Sequence, residues 1–146
     1  MTDAAAPQPT EEQELKPFFF DIEKIDGFTI ADTAGEGEDA EAMFDLFGRD
    51  LYTRPIVMTP TLSVFHETAK PNDRVKPHRH GTYQVNYILK GELRYGNQRV
   101  TPGMGAFTPN TLYSWRAGPD GAEWIEIHGG QPAIYLQDGD ASSDDD

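Results

Sequence analysis

The chain has 146 residues, with 12 Lys and Arg against 25 Asp and Glu and a formal net charge of −13. That length fits one domain with a single core. The charge argues against a nucleic-acid partner, whose phosphates need clustered cations, and against an anionic membrane surface. There is no Cys, which excludes a disulfide scaffold, a Cys-ligated zinc site and a Cys nucleophile. No apolar run approaches the roughly 18 residues of a membrane span. Met1–Thr10 has no basic patch followed by an apolar stretch, so no signal peptide is expected and a cytoplasmic location is the default.

Residues 1–14 hold Ala, Pro, Gln, Thr and Glu with almost nothing to bury, and residues 138–146 read DGDASSDDD. Both are expected to be disordered tails around a single domain over 15–137. Within that domain, 14 Gly and 11 Pro in the whole chain punctuate short runs of β-formers. Strands are predicted at 18–23, 29–32, 56–67, 83–89, 92–95, 105–107, 113–117, 123–128 and 133–136. Lys90-Gly91 and Gly96-Asn97 sit at hairpin positions, and Pro102-Gly103 and Gly118-Pro119-Asp120-Gly121 read as turns. One helix is predicted over 39–47, stopped by Gly48. Many short strands joined by regular turns imply an all-β sandwich or barrel.

The segment Lys76-Pro77-His78-Arg79-His80-Gly81-Thr82-Tyr83-Gln84 carries the chemistry. Alternate side chains of a strand face the same way, so His78, His80, Gln84 and Asn86 share one parity. On the inner wall of a barrel they would aim two imidazoles and a carboxamide at one point, and imidazole nitrogen suits Zn, Cu, Fe and Ni. The other reading is two surface histidines on a loop after Pro77.

The spacing His78-x-His80-x3-Gln84-x6-Gly91, within PHRHGTYQVNYILKGEL, resembles the first motif of the cupin superfamily, and VTPGMGAFTP (100–109) resembles the start of its second. The resemblance implies a double-stranded β-helix, or jelly-roll, barrel with an N-terminal arm and one short helix. It also implies a divalent metal (Fe, Mn, Ni or Zn) on His78, His80 and Gln84. The pattern departs twice. Gln84 stands where most cupins carry Glu, and the second-motif His is missing near Tyr113 and Ser114. Water, Tyr113 or His128 could replace it, or the histidines could do acid–base work without metal.

Trp124, Glu126 and His128 share parity, and Ile125 and Ile127 form the opposite face. If the first set faces inward, Glu126 and His128 are a candidate acid/base pair, with Tyr113 as a third catalytic candidate. If the isoleucines face inward, the set is a solvated stripe. Asn86, Trp115 and Arg94 are candidate substrate-binding groups, Arg94 through a bidentate pair to a carboxylate. His66 continues the parity of Leu62 and Val64 and reads as a core or rim residue. The expected function is a metal-dependent cupin enzyme on an oxygenated small molecule, with lyase, isomerase or cyclase chemistry ahead of dioxygenase chemistry. The alternative is a non-catalytic, sensor-like binder of a small ligand. Dimerisation is the habit of the family, and Phe18-Phe19-Phe20 could add a strand to a partner's sheet edge.

Overall fold

The computed structural model describes residues 15–137, so the two expected disordered tails lie outside the described residues. The elements in chain order are β1 (Phe28–Thr29), α1 (Ile30–Ala34), α2 (Glu38–Phe47), β2 (Tyr52–Met58), β3 (Ser63–Ala69), β4 (Arg74–His78), β5 (Tyr83–Tyr95), β6 (Gln98–Val100), β7 (Gly105–Pro109) and β8 (Tyr113–His128). All pairings are antiparallel, and the main path runs β1-β2-β3-β8-β5-β6, with β4 added to β8 and β7 to β5.

The long strands β5 and β8 make this a barrel. Their first-paired half, Gln84–Ile88 against Trp124–His128, continues through β3 and β2 on one side and β7 on the other. Their second half, Leu93–Arg94 against Arg116–Ala117, lies between β4 and β6. At the corner, Gly118–Gly121 of β8 faces only Glu92 of β5. Gly91 makes that corner possible. Its φ is +69°, and a Cβ there would lie 2.0 Å from the Gly121 carbonyl oxygen. The sequence expectation of a hairpin at Lys90-Gly91 is therefore corrected: the strand bends and continues. The sequence 118–121 likewise bulges within β8 instead of ending a strand.

Other differences have local causes. Residues 18–21 pair with no strand, and Phe19 is wholly exposed. A single 3-10 turn at Ile22–Lys24 follows, capped by Asp21. The 29–32 segment turns helical after Thr29, which forms a capping box with Asp32. The 56–67 run breaks where the Thr59 hydroxyl accepts from the backbone of Thr61 and Leu62, separating β2 from β3. Residues 133–136 make one bridge, Arg79 with Tyr135, and no strand. The strands β4 and β6 were not expected. The helix near 39–47 is present as α2. It has acidic residues in its first turn, Leu46 and Phe47 buried, and Gly48 closing it at φ +75°.

The apolar core fills the second half of the barrel, around Leu93, Val100, Trp115 and Ala117, and extends to Ile88 and Trp124 at the adjoining end of the first half, with Phe47 of α2 packed on it.

Candidate active site

β4 delivers His78 at its last residue, opposite Tyr113 of β8. The chain then turns through Arg79–Thr82, with Gly81 at φ +76°, and β5 begins at Tyr83. The expectation that His78, His80 and Gln84 lie along one strand is corrected here. The turn separates them, yet it folds His80 back so that its ring centroid is 4.8 Å from that of His78 and 5.1 Å from that of His128. Both rings are oriented by backbone carbonyls, which can only accept. His78 Nδ1 donates to Lys76 O at 2.8 Å and His80 Nδ1 to Ala133 O at 2.7 Å. The proton is thereby fixed on Nδ1, and each Nε2 keeps its lone pair. Burial lowers both pKa values, that of His78 to about 4, so both rings are neutral at pH 7.

β5 and β8 supply the rest. Gln84 and Asn86 point inward and are buried, and they stand opposite His128 and Glu126. Of the two faces considered for 124–128, the polar one faces in. Trp124, Glu126 and His128 are buried, with His128 fully so. Glu126 Oε2 is 2.8 Å from His128 Nε2, and its Oε1 accepts from Trp124 Nε1 at 3.1 Å. His128 Nδ1 is 2.8 Å from the Thr82 hydroxyl. The Glu126 carboxylate can only accept, so His128 Nε2 is the donor in that contact. Gln84 Nε2 donates to Asn86 Oδ1 at 3.0 Å and to the Tyr113 hydroxyl at 3.2 Å, and Asn86 Nδ2 donates to the Tyr95 hydroxyl at 2.8 Å.

Two carboxyl groups face this space with opposite tendencies. Burial pushes Glu126 up, but its bonds from His128 and Trp124 and the nearby imidazoles outweigh burial and hold it below its ordinary value. Since His80 is itself kept neutral, the weight falls on His128 and the indole. Glu67 of β3 is pushed well up by burial and by Glu126, against the 2.6 Å bond with the Thr53 hydroxyl. Burial and Glu126 likewise raise the Tyr113 phenol. A carboxyl group held toward its ionised form, one pushed toward its protonated form and a phenol pushed toward its neutral form thus share one site.

That site opens on a cavity of about 230 Å³. His78, His80, Tyr113, Trp115, Glu67 and Glu126 reach it through a largely apolar wall, completed by Phe28 and Ile30 before and in α1, Met43 and Phe47 of α2, and Pro132–Ile134. The site residues proposed from sequence thus separate. His78, His80, Tyr113, Trp115 and Glu126 line the cavity, while Gln84, Asn86 and His128 stand behind it as hydrogen-bond partners. Arg94 lies elsewhere, ion-paired with Glu92 on the outer face of β5. His66 also faces away, buried beside Glu123. Sequence reasoning missed Glu67. On β3 it is Ser63, Phe65, Glu67 and Ala69 that turn inward, the set opposite to Leu62, Val64 and His66. The inward parity of Glu126, once known, would have found it through the pairing of β3 with β8. Ser63 is a second missed residue. It is fully buried opposite His128, and its hydroxyl has no partner among the described residues.

The donor chemistry suits a divalent ion at His78 and His80. Both rings line the cavity, each Nε2 is unprotonated, each Nδ1 is anchored, and no described hydrogen bond uses the Gln84 carbonyl oxygen. Among the described residues no three His, Asp or Glu already converge on one ion position. The reason is visible: the Nε2 of His128, the third imidazole, is committed to Glu126, and the Tyr113 hydroxyl to Gln84.

An antiparallel barrel of this topology, with histidines entering from the β4–β5 connection, defines the class: the chain has the fold of the cupin superfamily. Solved structures carry the same fold. The polyketide cyclase RemF from Streptomyces resistomycificus superposes with a TM-score of 0.62 over 88% of this chain and 89% of its own, at 15% identity. A protein of unknown function with a cupin-like fold from Ralstonia eutropha matches at 0.53, over 62% of this chain and 67% of its own, at 21% identity. Bacillus subtilis oxalate decarboxylase, a protein with Mn(II) centres, matches at 0.53 over 59% of this chain and 28% of its own, at 18% identity. No family model and no curated protein sequence matches the chain. The neighbours of this fold include both enzymes and proteins without an assigned function. Among the described residues no helix is long and apolar enough to cross a membrane.

Proposed function

We propose that the chain is a small cupin-fold enzyme acting on an oxygenated, largely apolar small molecule, with lyase, isomerase or cyclase chemistry. The observation that carries this reading is the pair of carboxyl groups, Glu126 and Glu67, on the wall of one apolar cavity. Their surroundings push their proton affinities apart, the arrangement that lets one act as base and the other as acid. Glu126 takes a proton from the ligand. His128, donating to Glu126 and braced by Thr82, orients the carboxylate. Glu67 supplies a proton on another side of the cavity, and the neutral Tyr113 hydroxyl donates to a ligand oxygen. A divalent ion (Fe, Mn, Ni or Zn) on His78, His80 and Gln84 would polarise a carbonyl or hydroxyl of the ligand when bound.

The test is elemental analysis of protein purified without chelator or affinity nickel, beside a His78→Ala/His80→Ala variant. Near-stoichiometric metal that disappears in the variant supports the metal-assisted form. No metal in the wild type, even after incubation with each ion, removes the metal and leaves the two carboxyl groups as the reactive set. A ligand that raises the melting temperature yet is recovered unchanged identifies a binder in place of an enzyme.

We also propose that the chain is a homodimer through the outer face of β5, β7 and β8. Phe107, Val85, Ile127 and Val64 are consecutive register partners across β7, β5, β8 and β3, and Tyr83 and Tyr87 extend the same outer face. Tyr83 is 67% exposed and Phe107 59%. For a chain of net charge −13, a second copy meets little repulsion on a largely apolar face whose Glu123 is already bonded to His66 and Lys90. Sedimentation is expected to show a dimer for the wild type and a monomer for Tyr87→Glu; a monomeric wild type refutes the proposal.

A further inference from the structure

The outer face of the second half of the barrel carries a charge pattern that the cavity chemistry does not use. Arg74 of β4 is the register partner of Arg116 of β8. Arg116 is the register partner of Arg94 of β5, and Arg94 of Arg99 of β6. Four of the chain's seven arginines thus stand in one cross-strand row. All four are exposed, while their sequence neighbours Val75, Trp115, Leu93 and Val100 are buried, so the guanidinium groups emerge on the same face. With adjacent strands about 4.8 Å apart, the row is about 14 Å long.

Like charges directly opposite one another destabilise a sheet, and this chain has few cations to place. Part of the row is neutralised. Glu92 bonds both Arg94 and Arg99, and those two bonds hold its carboxyl down at about 2. Arg74 and Arg116 have no carboxylate within ion-pair distance among the described residues; Arg116 donates only to the Asn72 carbonyl. Lys76, beside them, is held by Asp45. The same residues line a depression of about 500 Å³, bordered by Arg74, Lys76, Arg94 and Arg116 with Gly96 and Ser114 between them. The row is therefore concave as well as cationic.

We propose that this depression binds a multivalent phosphate ligand, an oligophosphate chain or the triphosphate of a nucleotide, laid along the row from Arg74 to Arg94. Each guanidinium presents a planar fork of donors that matches phosphate oxygens bidentately and stays charged at any working pH. A row of such forks at strand spacing suits a linear run of anionic groups better than a single ion. The arginine side chains lie on the opposite face of the sheet from the cavity, although Val75 and Trp115 border both spaces, and the proposal is independent of the reading given to Glu126 and Glu67.

Isothermal titration at fixed ionic strength tests it, with inorganic tripolyphosphate, ATP, orthophosphate and citrate as probes. Tripolyphosphate is expected to bind at least tenfold tighter than orthophosphate. Arg74→Gln and Arg116→Gln are each expected to weaken it by about tenfold, and a variant remote from the row, Lys24→Gln, to leave it unchanged. If ATP binds as tripolyphosphate does, the triphosphate is the recognised element; if tripolyphosphate alone binds, the ligand is a free oligophosphate. A melting scan without ligand verifies folding. Both variants are expected to melt at or above the wild-type temperature, because a like-charge contact is relieved. Equal binding of tripolyphosphate and orthophosphate, equal binding of citrate, or unchanged affinity in both arginine variants would overturn the proposal.

Discussion

The two halves of the β5–β8 ribbon invert one another. In the half Leu93–Arg94 against Arg116–Ala117, the inner residues are apolar and the outer ones are arginines. In the other half the inward pairs are Gln84 with His128 and Asn86 with Glu126, amide, imidazole and carboxylate, while tyrosine, valine and isoleucine point outward; Ile88 and Trp124 mark where the apolar core resumes. The same two strands, a few residues apart, obey the usual burial rule at one end and reverse it at the other. Burying polar groups costs free energy that only complete hydrogen bonding offsets. The first half is assembled like any core. The second is tolerable because most of its polar groups are bonded in two sets, Thr82 with His128 and Glu126, and Tyr113 with Gln84, Asn86 and Tyr95, leaving the Ser63 hydroxyl without a partner among the described residues. Such an inverted half is what a barrel interior built for chemistry looks like.

The sharpest way to test that contrast is the Glu126–His128 pair. His128→Leu leaves a carboxylate in a nearly closed site and is expected to cost about 3–5 kcal/mol of stability, toward the lower figure because the carboxyl can protonate. Restoring neutrality in Glu126→Leu/His128→Leu is expected to recover most or all of that loss while abolishing turnover. An ordinary core substitution in the other half, Leu93→Ala, costs about 2–5 kcal/mol with no polar partner whose removal restores it. Urea unfolding of the single and double variants reads the difference. A double variant no more stable than His128→Leu would show that the pair is structural, and the inversion would lose its functional meaning.

Much of this was legible in the sequence because parity is local. Gln84 and Asn86, and Trp124, Glu126 and His128, fall on one face whichever way the sheet lies. What parity cannot decide is which face is inside, and both options stood open for residues 124–128. An inner face of ordinary composition would have been recognised by its apolar residues; here the outer face has them. The same ambiguity hid Glu67, which sits among Ser63 and Phe65 on a face that looks no more buried than Leu62, Val64 and His66. The sequence itself has Tyr113 and Ser114 where the second motif would place its histidine. The side chains nearest that place, Tyr113 and His128, both proved engaged with other partners, which depends on pairing across 44 residues of chain (Gln84 with His128) and not on spacing. Short elements escaped for another reason: β4 and β6 have no alternation long enough to register.

His66 marks the smallest expected effect and the outer limit of the inversion. It lies on the outward face of β3, yet it is buried. Its Nε2 is 3.3 Å from Glu123 Oε1, and its Nδ1 has no partner among the described residues. Nε2 therefore carries the proton and donates it to Glu123. A second proton on Nδ1 would be buried without an acceptor. Burial lowers the pKa below 6.5, and Arg54 on β2 adds to this. Glu123 on β8 and Glu23 near the N-terminus oppose it without prevailing. In the unfolded chain the ring protonates near its ordinary value and in the folded chain it resists, so the unfolded state binds more protons as the pH falls below about 6.5. The contribution is complete above that pH and is lost as the pH drops toward the folded value. Glu92, held at about 2 by its arginines, titrates too low to contribute in this window. Glu67, raised by burial, acts in the opposite sense. His78 and His80 act in the same sense as His66, so the wild type alone cannot assign the effect. The discriminating measurement is the urea midpoint at pH 7.5 and pH 5.5 for wild type and His66→Gln. The variant is expected to lose less stability between the two, by a margin smaller than the His128→Leu effect. An identical loss in both proteins would mean that His66 accepts its second proton at no cost. The outer face of β3 would then be as open to water as its parity alone implies.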